Sequence, residues 1–130
     1  MTAAEFRRMA VSLPGAEERA HMNHPDFRVD GKIFATLGYP DAGHGMVKVF
    51  PDQQEALVAA HPKMFAPVKG AWGKGGCTSV VLKSASKDRV REAMQAAWER
   101  ARKEPGARAK KQPGARSRSR GGSKSGRLAG

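Results

Sequence analysis

FRVDGKIFATL, residues 27–37, is the stretch whose reading decides the fold. Two runs rich in aromatic and β-branched residues, Phe27-Arg28-Val29 and Lys32-Ile33-Phe34-Ala35-Thr36-Leu37, are separated only by Asp30-Gly31. Asp-Gly between two such runs is the two-residue signature of a tight hairpin, because both central residues of that turn need positive φ. An antiparallel sheet follows.

Further short strands lie outward from this hairpin. Met46 to Val49 alternates, Thr78 to Lys83 is β-branched, and an earlier strand is expected over Arg19 to Met22. Three helices surround them. Thr2-Ala3-Ala4-Glu5 has the capping-box pattern and precedes Phe6, Met9, Ala10 and Leu13 at helical spacing, with Pro14-Gly15 as the stop. Pro51 opens a second helix carrying Leu57 and Val58, which stops before Pro62. Val90, Ala93, Met94, Ala97, Trp98 and Ala101 form one stripe of a third, with charges elsewhere and Pro105 beyond. Strands grouped together with helices at both ends predict an α+β domain, an antiparallel β-sheet flanked by helices.

Composition changes near Lys103. From Glu104 onward the chain runs EPGARAKKQPGARSRSRGGSKSGRLAG, where Leu128 is the only large aliphatic residue and no aromatic occurs. Such a segment cannot bury enough apolar surface to offset the entropy of ordering, so residues 104–130 are expected to be disordered. Residues 1–103 form the domain. Of a formal charge of +12, the tail carries +7 on eight Lys/Arg and one acid, and the domain +5. A surface this positive attracts polyanions and disfavours basic partners.

One cysteine, Cys77, excludes an internal disulfide and fits a reducing compartment; at the head of an apolar run it reads as structural. The N-terminus lacks a long apolar core, and no stretch approaches the roughly 20 apolar residues that span a bilayer. A cytoplasmic protein without membrane contact is expected.

The chemistry-bearing residues are sparse. His21 and His24, with Asp26 and His44, are the candidate metal ligands, but three-residue spacing on a strand puts side chains on opposite faces, and zinc-type spacing is absent. Asp26 and Asp30 precede turns, where aspartate commonly caps local backbone. Neither G-x-S-x-G nor the phosphate-loop pattern occurs. Gly70-Ala71-Trp72-Gly73-Lys74-Gly75-Gly76 is glycine-rich but leads into a strand, not the helix a phosphate cradle needs. No catalytic residue, metal or cofactor is assigned. The same loop suits nucleic acid better: Lys69 and Lys74 can reach phosphates, and Trp72 either stacks on a base or, the simpler placement for an indole, folds inward beneath the loop.

GAWGKGGCTSVVL, HPDFRVDGKIFATL, SLPGAEE, MVKVFPDQQEALVAAHPKMFAPV and AMQAAWERARK together resemble the MmcQ/YjbR family of small bacterial proteins, over nearly all of residues 1–103 and in order. The resemblance implies a frataxin-like (CyaY-like) α+β fold and DNA binding through two hairpin wings. It brings no catalytic residues. Phe50 stands where a capping Ser or Thr would be usual, at about 1 kcal/mol of helix stability. Iron handling of the frataxin kind needs a row of carboxylates, whereas Glu5 here stands beside Arg7 and Arg8.

The expected function is therefore non-catalytic DNA binding, mostly electrostatic and largely independent of sequence, by a protein expected to be monomeric. Arg28, Lys32, Lys48, Lys69, Trp72 and Lys74 would meet DNA from hairpins and loops. Lys110, Lys111, Arg116, Arg118, Arg120, Lys124 and Arg127 would follow the phosphate backbone from the tail. A small module that binds a protein or ligand through its sheet face is the alternative, and an enzyme built on His21, His24 and Asp26 a third.

Overall fold

The Asp30-Gly31 turn forms with φ of 53° and 79°, joining β2 (His24–Val29) to β3 (Lys32–Leu37). The computed structural model describes residues 1–21, 23–39 and 41–104, with only the backbone of His21. Before this hairpin come α1 (Ala3–Val11) and β1 (Glu17–His21); after it come β4 (His44–Lys48), α2 (Pro51–Ala60), β5 (Phe65–Pro67), α3 (Ala71–Lys74), β6 (Cys77–Val81), a 3-10 turn (Leu82–Ser84) and α4 (Lys87–Lys103). The six strands form one antiparallel sheet in the order β1-β2-β3-β4-β6-β5.

Local chemistry accounts for the helix ends. In α1 the Thr2 hydroxyl accepts from the Glu5 amide and the Glu5 carboxylate from the Thr2 amide, as the capping-box pattern predicts. The chain leaves the helix at Ser12, ahead of Pro14-Gly15. At α2 the phenylalanine in the capping position offers no acceptor, and the Gln53 side chain takes the Phe50 amide instead. The Arg100 guanidinium of α4 sits 4.7 Å from the Phe50 ring centre, which ties this helix start to α4.

α1 and α4 cover one face of the sheet. Phe27, Val29, Ala35, Leu37, Val47, Val80 and Phe65 from the strands, with Val49 just past β4, meet Phe6, Ala10 and the Val90-Ala93-Met94-Ala97-Trp98-Ala101 stripe in one core. The Trp98 indole donates to the Pro14 carbonyl at 2.9 Å, closing the α1 end against α4. Gly45 is where Phe6 enters: a Cβ there would lie 2.8 Å from its ring.

The register of β2 against β3 shifts between Phe27 and Arg28, leaving Phe34 as the extra residue. Phe34 and Ala35 are both fully buried, as a bulge permits. One consequence reaches the charged residues: Ile33 and Lys32 change faces relative to a regular strand.

Several expectations need correction. β5 is a strand the sequence reading omits, and β6 ends at Val81, with Leu82 and Lys83 in the 3-10 turn. Gly70 to Gly76 is not an open loop but contains the single helical turn α3. β1 starts earlier than expected, at Glu17. His21 and His24 are direct register partners across the β1–β2 turn, not residues three apart on one strand. Residues 105–130, expected to be disordered, lie outside the described residues.

Candidate nucleic-acid interface

Antiparallel pairing sorts the cationic candidates to one end of the sheet. Lys48 closes β4 opposite Cys77, the first residue of β6, and Pro67 closes β5 opposite Thr78. β3 runs antiparallel to β4, so its start at Lys32, the Asp30-Gly31 turn and Arg28 lie at that end too. α3, carrying Trp72 and Lys74, stands two residues before β6, and Lys69 is the second residue after β5. The C-terminal end of α4 also arrives there, through hydrogen bonds of Arg100 to the carbonyls of Val49 and Gly75. The basic tail therefore begins at the same end as Lys48, Lys69, Trp72 and Lys74.

α3 is held from three directions. The Gln54 amide, buried at the inner side of α2, donates to the carbonyls of Gly73 and Cys77, both at 2.9 Å. Gly73 packs so closely that a Cβ would sit 1.7 Å from the Val68 carbonyl oxygen. Arg100 holds the Gly75 carbonyl at 2.7 Å. Residue 73 is thus the inward side of the turn. At 100° per residue its neighbours 72 and 74 swing outward, and Trp72 is 69% exposed. This overturns the inward placement expected for Trp72. The glycine that makes the turn possible leaves no room for the indole beneath it.

The six domain candidates divide into free and occupied groups. Lys69 and Lys74 are exposed, Lys48 is half-buried on the face away from α1 and α4, and none of the three has an acidic partner among the described residues. Arg28 is occupied. Its Nε and a terminal nitrogen donate to the two oxygens of Asp26 at 2.8 and 3.2 Å. The Asp26 hydrogen bonds push the Arg28 pKa upward, and Asp26 itself is 1% exposed. Asp26 is therefore a buried ion-pair partner within β2, not the turn-capping residue expected. Lys32 is occupied as well: carried to the helix side by the Phe34 bulge, its ammonium donates to the Glu104 carbonyl at the end of α4. Lys110, Lys111, Arg116, Arg118, Arg120, Lys124 and Arg127 lie outside the described residues.

Between Glu55 and Asp88 there is no acid, and of the five lysines in that span Lys69 and Lys74 lie at this end, whereas Lys63, Lys83 and Lys87 lie toward the other, where β5 begins and β6 stops. Several other cations are engaged by acids, while exposed Lys63 and Lys83 have no acidic partner among the described residues. Arg7 pairs with Glu18, Arg19 with Glu17, Arg89 with Glu92, and Arg91 with Asp88. The first-helix carboxylate is also taken. Glu5 accepts from Lys87 at 2.8 Å, and that hydrogen bond, with the Thr2 amide, lowers its pKa to about 2.

Among the described residues no group of three His, Cys, Asp or Glu side chains is placed to hold a metal. His44 instead bonds Asp41 at 2.8 Å, which with the Gly43 amide lowers the Asp41 pKa. Cys77 is 2% exposed, and burial raises its thiol pKa against the opposing influence of Lys48 and Arg100. No helix among the described residues is long and apolar enough to cross a membrane.

The sequence model of the YjbR family matches residues 11–100, from the end of α1 to the last turns of α4. The chain belongs to the YjbR family. A similar solved structure supports the same architecture: a crystal structure of Deinococcus radiodurans protein DR2400, with the family-model domain DUF419, aligns with a TM-score of 0.69 over 83% of each chain. At 21% identity that likeness concerns the fold. No curated protein matches the chain. The YjbR match covers the sheet, α2 and the α3 turn and stops short of the basic tail.

Proposed function

We propose that this YjbR-family protein binds DNA without catalysis, through electrostatic contact with phosphates. The observation that carries the reading is the convergence at one end of the sheet. Unpaired Lys48, Lys69 and Lys74, an outward indole at Trp72 and the start of a tail with eight Lys/Arg all belong to that end. Lysines on strand ends and short loops position a protein on the phosphate backbone without reading bases. Arg28 and Lys32, committed to Asp26 and Glu104, support the hairpin and the root of the tail rather than meeting phosphates. Two terminal helices on one face of an antiparallel sheet favour the CyaY-like description of the fold. The carboxylates of α1 and β1 engaged by cations disfavour iron handling on it. A monomer in the cytoplasm is the setting we assign.

Equilibrium binding of a 20-base-pair duplex across a salt series tests this. With about six phosphates neutralised, affinity falls about 10³-fold from 50 to 200 mM salt. The comparison protein ends at Glu104, which retains the whole core and the bonds of Lys32 and Arg100 to that residue. Residual salt-dependent binding by this form, lost in the Lys48, Lys69 and Lys74 triple alanine variant, is the expected result. Absence of duplex binding by the full chain in dilute buffer rejects the proposal. Binding by the full chain but none by the shortened form assigns DNA to the tail and leaves the sheet to a protein or ligand partner.

A further inference from the structure

We infer that Trp72 is a stacking platform for an unpaired base, so that the preferred DNA partner is single-stranded or locally opened rather than continuous duplex. The inference rests on the DNA-binding reading above and narrows its substrate class.

Three exposed large hydrophobic side chains occur among the described residues: Val11, Tyr39 and Trp72, of which Trp72 is the most exposed. A single exposed apolar residue ordinarily needs no explanation. Trp72 differs in its setting. It projects from a helical turn fixed by Gln54, Arg100 and the tight Gly73–Val68 contact, so the ring is displayed by rigid backbone. Gly70, with φ of 80°, starts the turn, and Gly76, with φ of 109°, ends the connection into β6. Lys69 and Lys74 flank Trp72 in the chain, both exposed, and no acid lies within the surrounding segment from residue 56 to 87. Tyr39 sits at the opposite end of the sheet, two residues from Asp41.

A rigid indole between cations matches the chemistry of single-stranded DNA, which offers a π-face and a phosphate for every nucleotide. In continuous duplex both faces of each interior base are already stacked, and an indole gains contact only by opening a step at a cost of a few kcal/mol. Phosphate contacts alone serve duplex and single strands alike. The indole is what separates them.

The test uses the full chain, a 20-mer of thymidylate, which forms no self-pairing, and a 20-base-pair duplex. Trp72→Ala is expected to weaken the thymidylate complex about five- to 100-fold and the duplex complex less than twofold. Trp72→Phe restores most of the loss, since a phenyl ring still stacks. The emission difference between wild type and Trp72→Ala isolates the Trp72 indole from Trp98, and thymidylate should quench it. Near-UV circular dichroism checks that the variant keeps its core. Equal effects of Trp72→Ala on both ligands, or none on either, overturn the inference while leaving DNA binding intact. Failure of wild type to bind either ligand in dilute buffer removes both proposals.

Discussion

Gln54→Leu tests whether the α3 turn is held by a buried amide. The glutamine nitrogen donates two hydrogen bonds of 2.9 Å, to the carbonyls of Gly73 and Cys77, from a buried position in α2. Leucine fills similar volume and donates nothing. Neither carbonyl is stranded, because the Gly76 amide still reaches Gly73 and the Val68 amide still reaches Cys77. The full penalty of an orphaned buried acceptor therefore does not apply. The loss is two net hydrogen bonds at about 1 kcal/mol each, or about 2 kcal/mol in total. In a domain of this size that lowers the melting temperature by roughly 8–16 °C. Urea denaturation at neutral pH measures the free energy, and native-state hydrogen exchange of the Lys74 and Gly75 amides measures local opening of the turn. A loss under about 0.5 kcal/mol with unchanged exchange would refute the claim that Gln54 fixes α3. The substitution should also weaken thymidylate binding without removing a cation or an aromatic ring, since the indole loses its rigid mount.

Gly76→Ala is expected to be the more damaging change. At φ of 109°, a new Cβ would lie 1.8 Å from the Val49 carbonyl oxygen, which no side-chain rotation relieves. Loss of more than about 3 kcal/mol, or failure to fold, should appear in the same urea experiment; near-wild-type stability contradicts the backbone assignment. Glu5 sets an acid response. Its folded pKa of about 2 lies below the ordinary 4.5, so its contribution is present above pH 4.5 and lost as pH falls from there toward 2. Glu5→Gln should flatten the stability profile in that window, and an unchanged profile would show that the Lys87 and Thr2 contacts add nothing.

Much of the fold was legible because its determinants are local. Asp30-Gly31 prescribes its turn through two positive φ angles, and Thr2 with Glu5 writes the α1 cap three residues apart. The α4 stripe is simple helical periodicity. The three-residue strand β5, ending in a proline, is too short to show a period. α3 is a single turn framed by glycines, with the same composition as an irregular loop. The Asp26–Arg28 pair was within reach of the sequence, since residues two apart on a strand share a face, but Asp26 was assigned to a turn that the chain does not make there. The His21–His24 pairing was hidden by the same boundary error.

What the amino-acid order determined alone is the antiparallel α+β scheme, the helical stripe that covers it and the uneven division of charge, all properties of neighbouring residues or of simple counting. Only the tertiary structure decided which of those charges remain free. Lys32 is claimed by a carbonyl 72 residues away, carried there by a bulge at Phe34. Trp72 is turned outward by the contact of Gly73 with Val68 and by the hold of Gln54, 19 residues distant, on the Gly73 carbonyl. A side chain's availability depends on the partners that packing brings to it, and those partners come from elsewhere in the chain.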